Sequence, residues 1–266
     1  MATDLKPRTS TINGRLWGVR ARDWANLQEG NTRPVYDAVF GRAGVKASTR
    51  YLDVGCGAGM AAQMASALGA RVAGIDASEA LLAIARERTP GGDFRIGDLE
   101  ALPFSDRCFD VVTGFNSFQY AGNPGSALAE ARRVADLDGV VVVMTWGEPD
   151  GMPAASLVTA LRPLMPPPPP GAPGPFALSD EAALRKFAED AGLRPVEVFD
   201  VDSPFQYPDL DTGLRALNSS GVAARAMENS SAEAVSEAHR EALAPFRQAD
   251  GSYRVAARFR CLLARP

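Results

Sequence analysis

The fold turns on Tyr51-Leu52-Asp53-Val54-Gly55-Cys56-Gly57-Ala58-Gly59, an apolar run that passes straight into a glycine-rich turn. Glycines here permit a tight turn and let a ligand approach the backbone closely. Helical spacing of apolar residues begins at once, over Met60 to Leu68. Downstream the alternation continues. Arg71 to Ile75, Asp93 to Ile96, Phe109 to Phe115 and Val140 to Trp146 read as strands, while Glu79 to Arg88 and Ser126 to Val134 read as helices. That order predicts an α/β protein: a doubly wound, mostly parallel seven-stranded sheet with right-handed crossovers and helices on both faces. Such sheets bind ligands at the carboxyl ends of their strands, close to the point where strand order reverses.

Outward from this core, residues 1–48 are expected to form an N-terminal helical cover, with Leu16, Trp17, Val19, Trp24 and Leu27 followed by Val35, Tyr36, Val39 and Phe40. Residues 49–266 then make up the main domain. Within it, a proline-rich linker is expected near 162–175, around the run Pro166 to Pro170, where proline favours a stiff extended chain. Ser179 is positioned to cap a helix running through Ala191, which Gly192 ends. Arg194 to Val201 reads as a sixth strand, residues 204–248 as an inserted helical lid, and Ser252 to Leu263 as a closing strand entered through the Asp250-Gly251 turn.

Composition narrows the function. The chain has 266 residues, 46% hydrophobic and 23% charged, with 32 acidic and 28 basic residues mixed along its length for a net charge of −4. No Lys or Arg run offers a track for phosphate, so nucleic acid is not an expected partner. The polar start MATDLKPRTS lacks a signal core, and the most apolar stretch, Val140 to Met144, is too short to span a bilayer. A cytoplasmic protein with no membrane association is expected. Cys56, Cys108 and Cys261 are scattered, and with His239 as the single histidine neither a metal centre nor a hydrolytic triad is expected. Oligomeric state is left open.

A dinucleotide fingerprint would require glycine at position 60, which is methionine. In order, LDVGCGAG (52–59), GIDAS (74–78), GDLEALPF (97–104) and FDVVTGFNSFQYAGNPGSALAEARRV (109–134) resemble the motifs of class I S-adenosylmethionine-dependent methyltransferases. Within that Rossmann-like superfamily they resemble the small-molecule branch related to ubiquinone and menaquinone methyltransferases. The resemblance covers roughly residues 50–146, about the size of a domain core. It implies S-adenosylmethionine as the cofactor, with the backbone at Gly55, Cys56, Gly57 and Gly59 against the methionine part. Asp53 then either supports the turn or receives the ligand's ammonium. Asp76, with Ala77 beside it, stands about 20 residues past the glycine turn, where a carboxylate can accept both ribose hydroxyls. Asp98 and the Leu99 backbone are implied at the adenine.

Asn116, Ser117, Phe118, Gln119 and Tyr120 follow the fourth strand, where the reactive methyl should emerge. Asn116 and Ser117 are candidate cofactor contacts, while Phe118 and Tyr120, together with Trp17, Trp24 and Phe205, are candidate acceptor contacts. Many relatives carry a histidine in this loop. Gln119 and Tyr120 stand there instead, leaving His239, Asp202, Glu228 or a water as candidate bases. The expected reaction is methyl transfer to a small-molecule acceptor, at an oxygen of a natural-product or quinone-like compound, with nitrogen and carbon as alternatives. Three other readings stay open: a methyltransferase-like protein catalysing a non-methylating cyclisation, an NAD-dependent oxidoreductase, and a non-enzymatic sensor.

Overall fold

The structure is a computed structural model and describes residues 8–167 and 174–266. The strands are β1 (Arg50–Val54), β2 (Arg71–Asp76), β3 (Asp93–Ile96), β4 (Phe109–Phe115), β5 (Ala135–Trp146), β6 (Arg194–Asp202), β7 (Phe205–Tyr207), β8 (Tyr253–Val255) and β9 (Arg258–Arg265). The helices are α1 (Thr9–Gly18), α2 (Ala21–Asp23), α3 (Arg33–Ala43), α4 (Met60–Ala67), α5 (Glu79–Arg88), α6 (Pro124–Val134), α7 (Ala154–Thr159), α8 (Glu181–Asp190), α9 (Leu210–Leu217), α10 (Gly221–Asn229) and α11 (Ala232–Leu243).

Seven strands form one sheet in the order β3-β2-β1-β4-β5-β9-β6, with β9 antiparallel to both its neighbours. Strand order reverses between β1 and β4, so the glycine turn after β1 and the loop after β4 flank the crevice where ligands bind this architecture. Both faces are covered. Side chains alternate across each strand, and in β1 Tyr51 enters one apolar cluster while Leu52 and Val54 enter the other. In β5, Val142 and Met144 fill the first cluster, and Val141 and Val143 the second. This two-sided burial explains why the strands read as continuous apolar runs.

Four expectations on element boundaries change. The closing strand is two strands, because Tyr253–Val255 leaves the main sheet to pair with β7 as a separate ribbon, and β9 begins at Arg258. Accordingly the lid is not wholly helical: it opens with β7 and continues through α9, α10 and α11. Asp180, not Ser179, caps α8; its carboxylate accepts from the Ala183 N–H at 2.8 Å, while the Ser179 hydroxyl turns back to the Phe176 carbonyl. In the expected linker, Arg162–Leu164 forms a 3-10 turn, whereas Pro168, Pro169 and Pro170 lie outside the described residues, as do residues 1–7 of the polar start.

The N-terminal cover has an internal irregularity. Between α2 and α3 the chain makes a π-helical turn, Trp24–Gln28, and then a 3-10 turn, Glu29–Thr32. Wide π turns re-aim the side chains that follow them. Here the result is to direct Trp24 and Glu29 at the glycine turn.

Candidate active site

Gly55, Gly57 and Gly59 have φ of 78°, 54° and 80°, a left-handed conformation that side chains other than glycine resist. The turn's donors are largely spent inside the protein. Gly55 and Cys56 N–H both donate to the Ile75 carbonyl at 2.8 and 3.0 Å, and Gly59 N–H donates to the Cys56 carbonyl at 2.9 Å. Gly57 N–H reaches Asp76 Oδ2 at 2.9 Å, and Met60 N–H reaches Glu29 Oε1 at 3.2 Å. A phosphate cradle needs such groups free and pointing at the anion. This turn instead presents carboxylates.

Three acids converge on it. Asp76 at the end of β2 accepts from Gly57 and Ser78, one N–H on each oxygen, which holds the carboxylate in a fixed plane with lone pairs to spare. Asp53 is buried beneath the turn and accepts from the Thr113 hydroxyl at 3.1 Å, itself linked to Tyr51 Oη at 2.6 Å. Burial pushes its carboxyl up to about 8, with the nearby Glu29 and Asp76 charges adding to the rise. Glu29 is also buried and is raised by burial despite its ion pair with Arg88, whose guanidinium further donates to the Ala58 and Ala25 carbonyls at 2.9 and 2.7 Å. Asp76 is raised for the same reason, against the pull of its backbone donors. Three acids with one cation among them make a pocket suited to positive charge.

Sequence reasoning missed Glu29. It stands between the apolar residues Leu27 and Val35 of the expected helical cover, and the π turn before it carries it toward the glycine turn.

The remaining candidates divide into those at the crevice and those beneath it. Asn116 has a φ of 54°, a strained value for a residue with a side chain, and its Oδ1 accepts from Gln119 Nε2. Ser117 is buried under the turn, its hydroxyl donating to the Val54 carbonyl at 2.5 Å. The Cys56 side chain packs down against Gly74 of β2, leaving only its backbone for a ligand. Asp98 receives the Ser10 hydroxyl at 2.8 Å and the Glu100 N–H at 3.1 Å. A Cβ on Gly14 would lie 2.0 Å from the Ala77 carbonyl oxygen, so α1 rests directly on the loop after β2. Asn13 extends this seal by donating to the Tyr120 carbonyl at 2.7 Å. The cover therefore roofs both Ala77 and Asp98, with the half-buried Leu99 beside them.

Trp17 meets Trp24 and Tyr120 edge-on, with centroids 4.8 and 5.7 Å away, and packs against Gly221 where the lid's α10 begins. Phe118 and Phe205 are corrections. Phe118 is fully buried below the crevice, against Gly114 and the α6 side of the sheet, because the 3-10 turn Phe118–Tyr120 rotates it into the core. Phe205 is buried in an aromatic cluster with Trp146, Tyr207 and Phe259.

The candidate bases fare similarly. His239 is buried inside the lid with Nδ1 2.7 Å from Asn218 Oδ1, and burial lowers its pKa to about 4. Among the described residues no hydrogen bond joins it to the glycine turn or to the loop after β4. Asp202 is paired with Arg258, and Glu228 with Arg15 and Arg225; both carboxyls are held below their ordinary range by those arginines and are poor bases. Among the described residues no cluster of His, Cys, Asp and Glu is arranged to hold a metal, and no helix is long and apolar enough to cross a membrane.

The strand order, the left-handed glycine turn and the acid at the end of β2 make a Rossmann-like α/β crevice, the fold that solved methyltransferase structures share. Residues 52–143 match the methyltransferase domain family. Demethylmenaquinone methyltransferase of Renibacterium salmoninarum is 33% identical over 159 residues, which is 60% of this chain and 62% of that protein. Malonyl-[acyl-carrier protein] O-methyltransferase of Yersinia pestis is 33% identical over 97 residues, 36% of each chain. This chain thus spans between about a third and three-fifths of the curated relatives it matches. Among solved structures, the cyclase SpnF superposes with a TM-score of 0.55 at 21% identity, over 87% of this chain and 79% of that one, a likeness of fold.

Proposed function

We propose that the protein transfers the methyl group of S-adenosylmethionine to an oxygen of a small-molecule acceptor of quinol-like or natural-product type. One observation carries the cofactor reading: the N–H groups of Gly55, Cys56, Gly57, Gly59 and Met60 are all consumed within the protein while Glu29, Asp53 and Asp76 face the same turn. Such a site repels a pyrophosphate and suits a cationic ligand without phosphate, which weighs against the oxidoreductase reading. The residues fit the cofactor. Asp76 would hold the ribose, Asp98 and the Leu99 backbone the adenine, and the turn at Gly55, Cys56 and Gly57 the methionine part. When bound, the cofactor supplies an already activated methyl group.

What remains for the chain is alignment and exclusion of water. The roof of α1 seals the crevice through Ser10, Gly14 and Asn13, and Trp17, Trp24 and Tyr120 offer aromatic edges and faces at its rim. Aromatic walls favour a flat or apolar acceptor and stabilise nearby positive charge. With His239, Asp202 and Glu228 all engaged elsewhere, the acceptor proton passes to water. That suits a phenol or carboxylic acid, which ionises readily, better than an alcohol. A malonyl-[acyl-carrier protein] O-methyltransferase among the relatives supports an oxygen acceptor, and a demethylmenaquinone methyltransferase supports a quinone-like one.

Incubation with methyl-labelled S-adenosylmethionine and a panel of quinols, phenols and carboxylic acids tests this. Labelled product together with S-adenosylhomocysteine is expected, and Asp76→Asn should weaken cofactor affinity about 10–100-fold through loss of charged hydrogen bonds. Conversion of an acceptor to an unlabelled cyclised product, with no S-adenosylhomocysteine formed, would replace methyl transfer by the cyclase reading.

A further inference from the structure

The carboxylates around the turn are not equivalent. Asp53, the acid of the motif itself, lies beneath the turn, is 2% exposed, and has one oxygen committed to Thr113. Burial also pushes its carboxyl up, to about 8. Glu29 approaches from the N-terminal cover. Its Oε1 lies 3.9 Å from where a Cβ on Gly57 would stand, and Trp24 Nε1 lies 3.7 Å from the same point, so both side chains line the hollow that glycine leaves open. Glu29 Oε1 accepts only the Met60 N–H among the described hydrogen bonds, while Oε2 takes Arg88. A carboxylate oxygen can accept more than one donor, so Oε1 retains capacity on the side of the turn.

Resting on the S-adenosylmethionine reading, we infer that Glu29, delivered by the π turn of the N-terminal cover, is the acid that receives the α-ammonium of the cofactor's methionine part. Asp53 is then a support for the turn. Arg88 is the positioning residue: it anchors Glu29 to the Ala58 and Ala25 carbonyls, and its charge opposes the rise that burial imposes on the carboxyl. The arrangement also explains the roof. A residue of the cover contributes directly to the ligand, so the ligand bridges the cover and the glycine turn.

Calorimetry with two ligands that differ only beyond the sulfur tests this: S-adenosylhomocysteine, which carries the ammonium, and 5′-methylthioadenosine, which lacks the amino acid. Glu29→Gln keeps an oxygen for the Met60 N–H and should weaken S-adenosylhomocysteine about 10–100-fold while leaving methylthioadenosine within about twofold. Glu29→Gln/Arg88→Gln, which restores charge balance should the single variant fold poorly, should show the same selective loss. Arg88→Gln alone should also weaken S-adenosylhomocysteine more than methylthioadenosine, because Glu29 loses the partner that holds it beside the turn. Equal weakening of both ligands in the Glu29 variants, or no weakening of either, overturns the assignment. Absence of binding of both ligands to the unmodified protein would instead overturn the cofactor reading beneath it.

Discussion

Replacing Gly14 by alanine tests the roof. Within a helix the exchange alone gains about 1 kcal/mol, because alanine loses less conformational freedom on folding. Gly14 is different because its Cβ would sit 2.0 Å from the Ala77 carbonyl oxygen and 2.7 Å from its carbon, well inside van der Waals contact and against backbone that cannot swing aside. α1 must retreat by on the order of 1 Å, given that unstrained carbon–oxygen contacts lie near 3.3 Å or beyond. That movement strains the Ser10 contact to Asp98 at 2.8 Å and the Asn13 contact to the Tyr120 carbonyl at 2.7 Å. A bond to a charged partner is worth about 1.5–3 kcal/mol and a neutral one about 0.5–1.5. Set against the helix gain, the net loss is about 1–3 kcal/mol. Gly41, in α3, meets nothing within 4 Å and supplies the matched control. Scanning calorimetry should find Gly41→Ala more stable by a few degrees and Gly14→Ala less stable by about 2–12 °C, at about 2–4 °C per kcal/mol for a domain of this size. The Gly14 variant should also bind S-adenosylhomocysteine more weakly. Were Gly14→Ala to stabilise the protein as Gly41→Ala does, the close docking of α1 on Ala77 would be wrong.

Asp53 governs a pH dependence. Its folded pKa of about 8 lies above its unfolded value near the ordinary 3.9, so the native state binds the extra proton and stability falls as pH rises between those values. Asp53→Asn keeps an acceptor for Thr113 and should flatten the decline of Tm between about pH 4 and about 8; an unchanged slope would place the titration on Glu29 or Asp76 instead. His239→Ala should leave turnover at neutral pH near normal, because the ring is buried and bonded to Asn218, while lowering stability by about 1–3 kcal/mol. Loss of more than about a hundredfold in kcat in a fully folded His239 variant would return it to the chemistry.

The architecture was legible because its signals are local. Apolar runs alternating with amphipathic helices, and glycines clustered after the first strand, report on backbone geometry that neighbouring residues enforce. The acid at position 76 was legible for the same reason, since the end of β2 lies beside the turn in any sheet of this order. The break of the closing strand was not, because β8 leaves the main sheet only where β7, some 46 residues earlier, offers an edge. Phe118 looked like a residue of the crevice, yet a 3-10 turn of three residues sends its ring into the core and leaves Tyr120 at the rim.

The sequence by itself determined the doubly wound sheet, the place of its crevice, and a turn that suits an adenosyl sulfonium better than a pyrophosphate. Only the tertiary structure decided which side chains reach that crevice: Glu29 enters it, while His239 and Phe118 are turned away. The physical reason is range. A strand or turn is set by residues a few positions apart, but a charge arrives at a site only through the packing of a distant segment, here a π turn against the Arg88 guanidinium.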